Sequence, residues 1–87
     1  MSLKLITFII ADPLKAVACQ NEIMADSHLK LTASTYLIST SKNIDIMRRE
    51  LSHYLDKPDE LFICKLRAGD WISFHLGARE KWIEENI

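Results

Sequence analysis

The stretch KLITFIIADP, residues 4–13, starts as an apolar run and ends in an aspartate followed by a proline. An extended chain over residues 3–11 has apolar side chains on both faces: Leu3, Leu5 and Ile9 on one, and Ile6, Phe8 and Ile10 on the other. A strand that is apolar on both faces is buried on both. The stretch therefore predicts a strand at the centre of its sheet.

Two interpretations of Asp12 follow from its position after this strand. As a helix N-cap, Asp12 would precede Pro13 at the first helical position, where the missing N–H of proline costs nothing. As a metal ligand, its carboxylate would lie at the end of the strand. The Asp-Pro pair favours the cap, and we expect a helix to follow over residues 13–25.

The remaining elements are predicted from periodicity and turn residues. Residues 29–41 form one long strand with a bend or bulge near Ala33 and Ser34. Asn43 caps a clearly amphipathic helix that runs to about residue 55. Residues 61–66 form a strand, residues 71–76 a short strand or extended arm, and residues 78–86 a last helix with Ala78, Trp82 and Ile83 on its inner face.

This order predicts an α+β, ferredoxin-like βαββαβ sandwich with a C-terminal strand or arm and a short terminal helix. The 87 residues form a single domain, with a core over residues 3–67 and a dimerisation arm over residues 69–87. Right-handed crossovers place both main helices on one face of the sheet. The other face then needs a cover, and we expect a second copy of the chain. The predicted interface comprises Leu61, Ile63, Trp71, Ile72 and Phe74.

Composition restricts the class of partner. The net charge of −1 produces no basic field that would attract nucleic acid or anionic lipid. No apolar run approaches the roughly 20 residues of a membrane span, so no membrane partner is expected. Cys19 and Cys64 lie far apart and indicate buried thiols in a cytoplasmic protein. Histidine and cysteine spacing predicts no zinc site, and we expect no cofactor.

Two stretches carry a resemblance to a known family: LTASTYLIST, residues 31–40, and DELFICKLRAG, residues 59–69. With the Tyr54-Leu55-Asp56 end of the helix between them, they resemble the small CRISPR-associated endoribonuclease family, the dimeric partner of the CRISPR integrase. The resemblance is nearest to that family's uncharacterised relatives outside CRISPR loci, and it covers residues 3–67. It implies a ferredoxin-like dimer with facing sheets, a C-terminal arm that reaches the partner, and nucleic acid as ligand.

The chain departs from this family at its catalytic position. The family usually carries an aspartate directly after an aromatic residue at the end of the first strand, whereas here Ile9 follows Phe8. An isoleucine side chain has no oxygen for a metal ion. We therefore expect a non-catalytic, homodimeric binding or scaffolding protein that engages DNA, RNA or a protein complex.

Two alternatives remain open. The first is an endonuclease that depends on Mg²⁺ or Mn²⁺ and uses Asp12 of both subunits, with Ser34 nearby. The second is a small inhibitor that mimics a member of the family and blocks its partner. Ser34 also has a simpler interpretation, in which its hydroxyl satisfies the backbone at a bulge.

Five basic residues are candidates for contact with nucleic acid. They are Lys42, Arg48 and Arg49 on the second helix, and Lys65 and Arg67 at the end of the last core strand. Arginines this close together could clamp phosphates. The alternative is a solvated helix face, on which Arg49 forms an i,i+4 pair with Asp45.

Overall fold

A computed structural model describes residues 2–87 and shows an α+β fold. Its elements are β1 (Ser2–Ile9), α1 (Pro13–Met24), β2 (Ser27–Thr32), β3 (Thr35–Thr40), α2 (Ile44–Leu51) with a 3-10 turn (Ser52–Tyr54), β4 (Glu60–Leu66) and α3 (Ala78–Asn86). The four strands form one antiparallel sheet in the order β2-β3-β1-β4. The predicted ferredoxin-like βαββαβ arrangement with a C-terminal helix is confirmed.

Strand β1 lies at the centre of the sheet, as its apolar run predicts. It pairs with β3 on one side and with β4 on the other. Leu3 and Ile6 point to opposite faces and are both fully buried. The fold is therefore organised around this strand, because each of its faces belongs to a separate hydrophobic core.

The prediction of one bent strand over residues 29–41 is wrong. The segment forms two strands, β2 and β3, joined by a turn at Ala33 and Ser34, with a register shift between Lys30 and Thr32. Neither turn residue is glycine, asparagine or aspartate, so the usual hairpin signal is missing. Side-chain contacts hold the turn instead: the Ser34 N–H donates to Thr32 Oγ1 at 3.2 Å, and Gln20 Nε2 donates to the Ala33 carbonyl at 3.1 Å.

Helices α1 and α2 cover one face of the sheet and form the helix-side core. Its buried residues are Ile6, Phe8, Cys19, Ile23, Tyr36, Ile38, Met47 and Leu51. The rings of Phe8 and Tyr36 lie parallel with centroids 6.3 Å apart. This core joins the two inner strands of the sheet, β1 and β3, to both crossover helices, as the split βαβ pattern requires.

The C-terminal residues of the same chain cover much of the second face. Leu3 and Leu37 pack there against Ile83 of α3, and all three side chains are buried. Partly buried side chains surround them: Leu5, Leu29, Leu31, Leu66, Trp71, Leu76 and Trp82. Much of the cover that we expected from a second copy is therefore supplied by the arm and α3 of the same chain.

The segment between β4 and α3 is irregular, because residues 71–76 form neither a strand nor a helix. We call residues 69–77 the arm. Of the residues predicted on the inner face of α3, Trp82 is partly buried and Ile83 is buried, whereas Ala78 is exposed. Arg79 anchors the helix, donating from Nε to the Leu76 carbonyl at 3.3 Å and from Nη1 to the Leu31 carbonyl at 3.4 Å.

No helix among residues 2–87 combines the length and the apolar content that crossing a bilayer requires.

We predict that Ile83→Ala destabilises the protein by about 2–5 kcal/mol, because it opens a cavity in the second core. Urea unfolding followed by circular dichroism measures this loss. Ile72→Ala is the matched control, since the Ile72 side chain is 96% exposed and its truncation should change stability by less than about 0.5 kcal/mol. Equal stabilities of the two variants would show that α3 does not hold the second face.

Candidate functional site

The structure places Asp12 at the N-cap of α1. Its Oδ1 accepts hydrogen bonds from the backbone N–H of Leu14 at 2.9 Å and of Lys15 at 3.4 Å. Pro13 occupies the first helical position. The predicted cap is confirmed, and the carboxylate satisfies N–H groups that the helix itself leaves unpaired.

Two further carboxylates lie near the start of α1, and protein donors occupy both. Lys15 Nζ lies 2.6 Å from Asp56 Oδ2, and this hydrogen bond raises the pKa of Lys15. Asp59 accepts from the Asp56 N–H at 2.8 Å and from the Ala11 N–H at 3.1 Å, which lowers the pKa of Asp59. Among residues 2–87, no group of three or more histidines, cysteines or carboxylates is arranged to hold a metal ion.

Ser34 lies in the turn between β2 and β3 rather than in a strand. Its carbonyl accepts from the Phe8 N–H at 3.1 Å, which ties the turn to β1. In the described part of the chain no hydrogen bond joins Ser34 to Asp12. These backbone contacts fit the structural interpretation of Ser34.

The two cysteines are free thiols. Cys19 is buried in the helix-side core, and burial together with the nearby Glu22 raises its pKa to about 11. At neutral pH its thiol is therefore protonated and a poor nucleophile. Cys64 is half-buried on the opposite face of the sheet.

The predicted basic residues do not line one common cavity. Lys42 pairs with Glu50 at 2.9 Å in a hollow that Glu22 and Asp26 also line, and the hydrogen bond to Glu50 raises the pKa of Lys42. Arg48 lines a separate groove between α2 and β4, and Lys65 lines a third cavity.

Arg49 and Arg67 are exposed to solvent. The alternative pairing of Arg49 with Asp45 is not among the ion pairs of the described chain, which join Lys15 to Asp56, Lys42 to Glu50 and Lys81 to Glu85. Both arginines therefore remain accessible to an anionic ligand.

The residues predicted at a dimer interface fall into two groups. Leu61 and Ile63 pack against the helix-side core, and Trp71 packs against the second core. Ile72 and Phe74 project from the arm and are 96% and 83% exposed.

A second exposed apolar region, which the sequence pattern did not indicate, lies at the end of the sheet face that α3 leaves uncovered. We call it the open patch and define it by Thr7, Ile9, Thr35 and Phe62. Ile9 is 65% exposed and Phe62 is 60% exposed. Thr7 lies opposite both Thr35 and Phe62 in the sheet, and the two threonine hydroxyls are 3.0 Å apart.

The arm lies on the same face of the sheet as the open patch. It covers a cavity of about 200 Å³ whose sheet side includes Leu5 and Leu66, and Leu5 precedes Thr7 on the same face of β1. The Phe74 ring stacks on His75 with centroids 4.0 Å apart, and His75 has a left-handed φ of 61°. Ile9 and Phe62 of the open patch, with Ile72 and Phe74 of the arm, are exposed apolar side chains outside both cores, and we call these four side chains the apolar surface.

We predict that Asp12→Ala destabilises the protein by about 1 kcal/mol, because two N–H groups of α1 lose their acceptor. Asp12→Asn is the matched control, since an asparagine oxygen caps a helix about as well as an aspartate oxygen. Urea unfolding at neutral pH compares the two variants. An equal loss in both would show that the negative charge of Asp12, rather than the cap, matters.

The lowered pKa of Asp59 predicts a pH dependence of stability. Because the ionised carboxylate accepts two backbone N–H bonds in the folded state, its contribution is present above about pH 4 and is lost as the pH falls below that value. Asp59→Asn should therefore lose less stability than wild type between about pH 5 and about pH 3, as measured by urea midpoints. Asp70→Asn, a change at an exposed turn residue, should retain the wild-type slope.

Comparison of the chain with models of protein families and with curated protein sequences found no match. The family resemblance of residues 3–67 therefore stays a prediction.

Proposed function

We propose that the protein is a non-catalytic binding or scaffolding protein that acts as a homodimer and engages nucleic acid or a protein complex. The apolar surface formed by the open patch and the arm carries this proposal. Its four large side chains, Ile9, Phe62, Ile72 and Phe74, are each at least 60% exposed. Burying a side chain of this kind contributes about 1.5–3 kcal/mol, so a partner gains substantially by covering it.

A second copy of the chain is the partner that this surface fits best. In a two-fold interface both copies contribute the same surface. One part of that surface must therefore complement another part of it on the second copy. Here Ile9 and Phe62 lie on a sheet face, and Ile72 and Phe74 project from a neighbouring arm. In a two-fold dimer each arm would cover the partner's open patch.

The polar contacts at the end of β1 favour binding over catalysis. The Asp12 carboxylate caps α1, and Asp59 accepts two backbone hydrogen bonds. Ile9, at the position where the CRISPR-associated family usually has its acid, adds an apolar side chain to the open patch. Because these carboxylates already accept protein hydrogen bonds, the arrangement supports a scaffolding protein better than a nuclease that binds magnesium or manganese.

Nucleic acid remains one proposed ligand class, through the resemblance and the exposed Arg49 and Arg67. A protein complex is the other class, and an apolar surface on a chain with a net charge of −1 favours it. We also propose a cytoplasmic localisation, because the two free thiols fit a reducing compartment.

We predict that wild-type protein sediments as a dimer at micromolar concentration and that Phe62→Glu weakens the dimer at least tenfold, because a charge would be desolvated in the interface. Leu14→Glu is the matched control: Leu14 is 82% exposed on α1 and should leave association unchanged. Point variants are the suitable test, because truncation after Arg67 would uncover the buried Leu3 and Leu37.

Two results would contradict the proposal. Sedimentation of the wild type as a monomer throughout the micromolar range would exclude the dimer. Cleavage of labelled RNA or DNA with magnesium or manganese, lost in Asp12→Ala while that variant stays folded, would replace the scaffold with the nuclease.

A further inference from the structure

We propose that the chain binds a phosphate group in a pocket between the start of α2 and the paired residues Lys4 and Lys65. The pocket is a cavity of about 270 Å³. Its lining residues are Ser2, Lys4, Ser41, Asn43, Ile44 and Lys65. It lies on the helix side of the sheet, away from the open patch, so it does not depend on the proposed dimer.

Lys4 is a buried lysine with no carboxylate partner among residues 2–87. Its side chain projects from β1, and the residue is only 3% exposed. Nζ donates to the Thr40 carbonyl at 2.9 Å and to Ser2 Oγ at 2.6 Å, and both acceptors are uncharged. An ammonium group has three N–H donors, so one donor is left for a ligand. A buried charge without a counter-charge is costly, and a bound anion would offset that cost.

A second positive charge lies directly opposite. Lys65 of β4 is the register partner of Lys4 and faces the same side of the sheet. Cβ atoms of such partners are about 5 Å apart, and like charges in these positions destabilise a sheet. Burial, and then repulsion from Lys65, lower the pKa of Lys4. An anion between the two lysines would convert this repulsion into two attractions.

The rest of the described pocket lining contains hydroxyl and amide groups, from Ser2, Ser41 and Asn43, and no acidic residue. Asn43 caps α2, and its Oδ1 accepts the Ile46 N–H at 2.9 Å. The adjoining first turn of α2 carries the positive end of the helix dipole. Asp45, the acid in that turn, lines the neighbouring groove with Arg48 and not this cavity.

Phosphate fits this combination better than a carboxylate. Two lysines provide a charge of +2, and a phosphate monoester carries about −1.5 to −2 at neutral pH. Its several oxygens can accept from Lys4, from Lys65 and from the hydroxyl of Ser2, whose oxygen already accepts from Lys4. Free phosphate and the phosphates of a nucleotide or nucleic acid share this chemistry.

Titration calorimetry with sodium phosphate, in chloride buffer of constant ionic strength, measures the binding. Wild type should bind, and Lys65→Gln should bind at least about tenfold more weakly, the effect of losing one charge-assisted hydrogen bond. Lys30→Gln is the matched control, because it removes the same charge from an exposed position on β2 and should bind as wild type does. Phosphate should also raise the melting temperature of the wild type.

Lys65→Glu gives a sharper test and avoids altering the buried Lys4. The new carboxylate would lie opposite Lys4 and replace the anion, so this variant should melt higher than wild type in chloride and no longer respond to phosphate. The proposal is overturned if wild type does not bind millimolar phosphate, if Lys30→Gln loses as much affinity as Lys65→Gln, or if Lys65→Glu still binds.

Oligonucleotides with and without a 5′-phosphate identify the source of the group. Binding of both to the wild type, lost in Lys65→Glu, supports the phosphodiester backbone of nucleic acid. Binding of the phosphorylated form alone, with the same loss, supports a terminal phosphate or a small phosphorylated ligand. Oligonucleotide binding that Lys65→Glu leaves unchanged would count against the pocket.

Discussion

The burial of β1 on both faces is the constraint on which the rest of the structure depends. Leu3 and Ile6 are fully buried on opposite sides, so the chain must supply two separate covers for one strand. Helices α1 and α2 provide the first cover, and α3 with the arm provides the second. The second cover is smaller than the face beneath it, and the uncovered remainder contains Ile9 and Phe62.

The central strand and the helix cap at Asp12 were predictable because their signals are local. An apolar run on both strand faces and an Asp-Pro pair each determine structure within a few residues. The turn at Ala33 and Ser34 was not predictable in this way. Its stabilising contacts come from Thr32, Gln20 and Phe8, and two of these residues belong to other elements of the fold.

The candidate surfaces depend on long-range packing, and this limits what sequence can predict. The alternation of β4 assigns Leu61 and Ile63 to one face and Phe62 to the other. It does not say which of these faces α1 and α2 cover, or how much of the other face stays open. That choice depends on where α3 packs, and α3 carries only Trp82 and Ile83 as its inward apolar contacts. The pairing of Lys4 with Lys65 likewise requires the register of β1 and β4, whose residues are 61 positions apart.

The contact between Arg79 and the Leu31 carbonyl has a consequence for assembly. It engages β2, an edge strand of the sheet, so an incoming strand that paired with the Leu31 carbonyl would have to displace the Arg79 side chain. Among the described residues, no side chain of α3 or the arm hydrogen-bonds to β4 at the other margin. The two edges of the sheet therefore differ: Arg79 obstructs backbone pairing at β2, whereas no side chain of α3 or the arm within residues 2–87 does so at β4.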